Sequence, residues 1–150
     1  MDLDERYIAS SNVWRRYGIL FKVLIEKYGF EEALNHHLEA RLIVSAKAMG
    51  VLQEKHDALT QNEYAMTLQN NFQGAGYEAM VDTTEDVYRV TVKRCPFYNG
   101  LSLAGIEHET ILRICENSYA QRAKNYPSLF MGLIKQRDTP EGTCVEGFRL

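Results

Sequence analysis

Four side chains stand out as able to do chemistry: Cys95, Cys115, Cys144 and His108. Cys95 lies in "RCPFYNG", where a strand-like run ends and Pro96 stops it, holding the cysteine extended. A thiol fixed there is a nucleophile, a metal ligand or a small apolar residue at the edge of a core. The cysteines are 20 and 29 residues apart (95 to 115, 115 to 144), which is neither a CxxC pair nor a zinc knuckle. His108 precedes Cys115 by seven residues. That spacing puts both on nearly one helix face, about 10 Å apart along the axis. They are too far apart for a direct thiolate–imidazole pair, but both can border one pocket. A histidine there can pass a proton to a leaving group without touching the nucleophile. The competing chemistry is a closed structural zinc site made of the three thiolates with His108 or a carboxylate.

Other motifs carry less. "GAGYEA" at Gly74–Ala79 has the letters of a dinucleotide glycine loop, but it follows a helical pattern and opens a strand, the reverse of what that loop needs. His36 and His37 are neighbours on a helix, about 100° apart, and make poor joint ligands. They read as exposed or interface histidines, and His56 in "QEKHDA" reads as solvated.

The elements that must position these groups follow from periodicity. Asp4 to Tyr28 is helical, with Val13, Tyr17, Leu20, Leu24 and Tyr28 three or four apart, and Gly29 ends it. "FEEALNHHLEARLIVSAKAMGVLQEKHDAL" is a second helical pattern, which Gly50 can break or kink. Thr60 and Glu63 have capping-box spacing, so a third helix starts there and stops at "GAG". The period then drops to two: "YEAMVDT" and "VYRVTVKR" alternate across the turn "TTED", with Tyr88, Val90 and Val92 on one side. Helical spacing returns in "EHETILRICENSYAQRA". "SLFMGLIKQ" and "TCVEGFRL" are two final strands joined by "RDTPEG". The expected fold class is α+β, a single domain over residues 1–150. N-terminal helices pack on a mainly antiparallel C-terminal sheet of about four strands with one inserted helix. The long first helix is expected to cover one face of that sheet, with a homodimer interface as its alternative role.

With 150 residues, 45% of them apolar, the chain is long enough to bury a core without metal or disulfide. A net charge of −3 argues against nucleic acid as a partner. The longest apolar run, "GILFKVLI", is interrupted by Lys22 and is far short of a membrane span. "MDLDERY" has acids where a signal peptide needs bases, so a cytoplasmic protein is expected. An odd number of thiols in a reducing compartment is not a disulfide framework.

"VTVKRCPF", then "ICENSYA", then "DTPEGTCVEGFRL" resembles the L-2-amino-thiazoline-4-carboxylic acid hydrolase family, best over Arg89 to Leu150. "YGFEEAL" upstream also looks like that family's helix-joining segment. The layout of the last cysteine and strand is similar, more distantly, to 4-vinyl-reductase-type domains, which bind small molecules and in some members zinc. Two departures stand out: Ser118 falls where an acid is expected, leaving Glu116 as its only substitute, and "EGTC" replaces "GD" before the last cysteine. The resemblance implies hydrolytic opening of a cyclic amidine that carries a carboxylate, through a cysteine thiolate and with no cofactor. Cys95 ranks first as nucleophile, because Lys93 and Arg94 precede it and a helix opens near Glu107. Cys115 and Cys144 are the other candidates, and His108 would be the general acid or base. Arg94 or Arg113 would hold the substrate carboxylate. The alternatives are a small-molecule-binding module with zinc at the three cysteines, and an inactive structural relative.

Overall fold

Asp2 opens the first helix, α1 (Leu3–Tyr28), in the computed structural model, which describes all residues from Met1 to Leu150. Its carboxylate accepts from the Glu5 N–H at 2.8 Å, and Glu5 accepts from the Asp2 N–H at 2.9 Å. This reciprocal pairing satisfies two otherwise orphaned donors. α2 (Phe30–Ala58) runs unbroken through Gly50, because one glycine costs a helix only about 1 kcal/mol. Thr60 then caps α3 (Gln61–Gly74), accepting from Glu63 N–H while Glu63 accepts from Thr60 N–H.

The four strands are β1 (Glu78–Thr83), β2 (Val87–Arg94), β3 (Phe130–Lys135) and β4 (Cys144–Arg149). They form one antiparallel sheet in the order β1-β2-β4-β3. The alternation in β2 buries Tyr88, Val90 and Val92. Their partners across the ladder are Phe148, Glu146 and Cys144 in that order, so these three also occupy the inner face. α3 packs on β1, and helix α5 (His108–Asn125) packs on β3.

Two helices, not one, are inserted between β2 and β3. The additional one is α4 (Pro96–Leu103), which starts directly after Cys95. Proline suits its first position, where the missing N–H has no intrahelical partner. Pro96, Tyr98, Gly100 and Leu101 are its buried residues, while Ser102 and Leu103 face solvent. Its Gly100 lies against Ser11, Trp14 and Arg15 of α1, and Gly18 of α1 lies against Leu101 and Ala104. A methyl group at Gly100 would approach Ser11 O to 2.6 Å, so the two helices touch backbone to backbone.

α1 therefore packs chiefly on α4 and α2, and the sheet is covered by α3 and α5 instead. The buried face of α1 carries Ser11, Gly18 and Phe21, flanked by Trp14, Tyr17 and Leu24. Val13, Leu20 and Tyr28, which share the expected stripe, are exposed. The close α4 contact selects small residues and shifts the face. One core cluster lies among α1, α2, α4 and α5, another between α3 and the sheet, and Cys95 touches both. No helix is long and apolar enough to cross a membrane.

Candidate functional site

Between α2, α3, α4 and α5 and the inner face of β2 and β4 lies a cavity of about 320 Å³. All three cysteines line it, together with Glu146, Tyr119, Ser118 and the guanidinium groups of Arg41, Arg122 and Arg137. Apolar side chains such as Met49, Leu52, Phe72, Phe97 and Phe148 make up most of the remaining wall.

Each thiol arrives by a different route. Cys95 ends β2 and caps α4, and its Sγ accepts from the Tyr98 N–H at 3.4 Å. Burial nevertheless pushes its pKa up to about 11, outweighing that N–H and the pull of Arg137. Cys115 comes from α5, and burial raises its thiol well above the ordinary range. Cys144 opens β4 opposite Val92. The Nε–H of Arg137 donates to its Sγ at 3.4 Å, a contact that stabilises a thiolate when one forms.

Arg137 comes from the β3–β4 connection and is only 4% exposed. Its Nη1 donates to Pro140 O at 3.1 Å, and its guanidinium lies over the Tyr98 ring at 4.6 Å. Its Nη2 is buried without a partner. Glu146 is 2% exposed. Its Oε1 accepts from the Tyr119 hydroxyl at 2.6 Å. Its Oε2 lies 3.6 Å from Arg122 Nη1, an ion-pair distance, but has no hydrogen bond. Burial raises the carboxyl pKa, opposed by Arg122 and the Tyr119 hydroxyl. Burial also holds Tyr119 well above its usual range, so the phenol stays a donor.

The remaining expected site residues lie elsewhere. Arg94 pairs with Asp4 at 2.6 Å and Glu78 at 3.8 Å and lies over Tyr7, tying β2 to α1. Arg113 pairs with Glu31 at 2.9 Å and lies over Phe30, clamping α5 to α2. Neither lines the cavity. His108 does start α5, but Nδ1 meets the Tyr98 hydroxyl at 2.6 Å and Nε2 meets Asp138 O at 3.3 Å. It therefore touches a wall residue from behind and does not reach the space.

His37, expected at the surface, is 2% exposed. The Tyr17 hydroxyl meets Nδ1 at 2.5 Å, and Nε2 meets Ser118 Oγ at 3.1 Å. Ser118 in turn donates to Ile114 O at 2.8 Å. The consistent arrangement is Tyr17 O–H to Nδ1, then Nε2–H to Ser118. This chain ties α1, α2 and α5 together. Its direction leaves Ser118 without a base to take its proton, so it is not a serine nucleophile in this arrangement. His56 is also less free than expected: it contacts Arg149 O at 3.1 Å and the edge of Tyr64.

Glu146 and Arg137 were not foreseen from the sequence. Glu146 was within reach, since a charged residue two positions from both Cys144 and Phe148 must share their face in an alternating strand. No group of three or more His, Cys, Asp or Glu side chains is arranged to hold a metal ion. No family model, curated protein or solved structure matches the chain.

Proposed function

We propose that the protein hydrolyses a small cyclic amidine bearing a carboxylate, a thiazoline-type ring, with Cys144 as nucleophile. The observation that carries this reading is a pair of buried atoms without hydrogen bonds, Glu146 Oε2 and Arg137 Nη2, on residues that line a cavity with three thiols. Buried polar atoms left without a hydrogen bond are costly. A ligand with an amidinium at one end and a carboxylate at the other supplies a partner to each. Arg137 thus takes the carboxylate-holding role expected of Arg94 or Arg113, and Cys144 takes precedence over Cys95. Cys144 alone receives a guanidinium hydrogen bond, whereas the Cys95 thiol is pushed up to about 11.

The reaction balances as follows. The Cys144 thiolate bonds to the amidinium carbon, and the C=N electron pair moves to nitrogen. The ring C–S bond breaks, its pair stays on the leaving sulfur, and that sulfur takes a proton from solvent. The carbon remains on Cys144 as an isothiouronium. Water adds to it and loses a proton, the bond to Cys144 breaks with its pair returning to the enzyme, and the protonated urea that leaves gives a second proton to solvent. One water is consumed, and an open-chain urea with a free thiol is formed.

The test is incubation with 2-amino-thiazoline-4-carboxylate and related rings, reading new thiol and urea product. Turnover that Cys144→Ser abolishes and Cys95→Ser leaves within about tenfold supports the reading. Turnover that survives Cys144→Ser sinks Cys144 as nucleophile. A second reading, a binding module without turnover, is favoured by the raised pKa values of Cys95 and Cys115 and the apolar wall. It predicts saturable binding of the same compounds with no product.

A further inference from the structure

We infer that Glu146 is the general base of this cavity, taking the proton from the water that releases the product from Cys144. The inference rests on the hydrolase reading above. Glu146 and Cys144 are two positions apart on one face of β4, about 7 Å along the strand, and both line the cavity. The two carboxylate oxygens have different surroundings. Oε1 is held by the Tyr119 hydroxyl, while Oε2 is buried and free of hydrogen bonds, on a residue that lines the cavity. Oε2 is therefore the atom that can accept a proton. Arg122 at 3.6 Å balances its charge between turnovers. His108, the expected acid or base, is engaged by Tyr98 and Asp138 outside the cavity.

In the step assigned here, the water oxygen bonds to the isothiouronium carbon while one of its protons moves to Oε2. The tetrahedral centre then expels the Cys144 sulfur with its electron pair. The urea and Glu146 each release one proton to solvent, which restores the carboxylate. The charged and titratable groups around Glu146 are Tyr119 and Arg122 from α5, Arg41 from α2, Tyr77 ahead of β1, Cys95 and Cys115, and, lining the same cavity, Cys144 and Arg137. A base must be ionised, so release slows as pH falls through the Glu146 value, which burial raises from 4.5.

The experiment follows a single turnover of 2-amino-thiazoline-4-carboxylate by intact mass on wild type, Glu146→Gln, Glu146→Asp and Cys144→Ser. The expected result, at saturating substrate, is that E146Q, which keeps an amide oxygen to accept from the amidinium, forms the Cys144 adduct but releases it about 100-fold more slowly. Release in E146Q is then flat with pH, and E146D restores part of the rate. Thermal unfolding of E146Q confirms that the variant is folded. An E146Q adduct that decays within threefold of wild type, with wild-type pH dependence, overturns the role of Glu146 and leaves the hydrolase reading standing. No adduct and no turnover in wild type overturns that reading and this inference with it. C144S, which can form no adduct at that sulfur, separates the two failures.

Discussion

Acidification from pH 7 to pH 4 should cost the fold about 3 kcal/mol through a single side chain, His37. Burial, and then the positive charge of Arg41, lower its pKa from 6.5 to about 4. The neutral ring is what the site accommodates. Nδ1 accepts from Tyr17 and Nε2 donates to Ser118, and Phe21 and Phe97 lie close by. A second proton would set two donors against each other at Nδ1. As pH falls below 6.5 the unfolded chain takes up this proton and the folded chain does not, so stability drops until the folded ring also titrates near 4. A gap of about 2.5 units at 1.36 kcal/mol each gives roughly 3 kcal/mol. Urea unfolding at both pH values, on wild type and His37→Gln, isolates this contribution, because the other titrating groups are common to both. The wild type should lose about 3 kcal/mol more than H37Q between pH 7 and 4. Equal losses, within about 1 kcal/mol, would refute the buried neutral histidine.

Gly100→Ala should force α4 away from α1, because its methyl group meets Trp14 and the Ser11 carbonyl. The expected cost is about 1–3 kcal/mol, visible as a lower melting temperature, and an unchanged one would contradict the backbone-to-backbone contact. In the native protein at pH 8, Cys95 should react with iodoacetamide about 100-fold more slowly than in the urea-unfolded chain, since its thiol is raised to about 11. Rapid native labelling of Cys95, resolved by peptide mapping, would rule out the buried thiol described here. Thr60→Ala should cost about 1 kcal/mol by removing the α3 cap; a smaller loss than about 0.3 kcal/mol in urea unfolding would mean the cap does not hold in solution.

Elements whose signals are local were legible in the sequence. The Thr60–Glu63 pair marked the start of α3, and alternation in "VYRVTVK" marked both β2 and its inner face. The expectation that Cys95 is held extended at a strand end also agrees with its φ of −115° and ψ of 109°. α4 was hidden because eight residues make too few turns to set a period, and Pro96 read as a stop when it is also a start. The buried face of α1 was hidden because it is chosen by glycine contacts with α4, not by the largest apolar residues. The thiols were each visible, but their meeting depends on β2 pairing with β4, which brings Cys144 opposite Val92. Arg137 reaches Cys144 from an irregular connection whose path no periodicity encodes. Arg94, Arg113 and His108 had suitable chemistry, yet each is engaged outside the cavity by partners distant in sequence or by loop backbone.

The most direct test of the proposed chemistry is where substrate carbon attaches. Wild-type protein mixed with 2-amino-thiazoline-4-carboxylate, acid-quenched within the first turnover and digested, can be mapped by peptide mass spectrometry. The account predicts an added isothiouronium on the peptide carrying Cys144, with Cys95 and Cys115 unmodified. Modification at Cys95 or Cys115 in place of Cys144, or product formed with no adduct at any cysteine in wild type or E146Q, would contradict it.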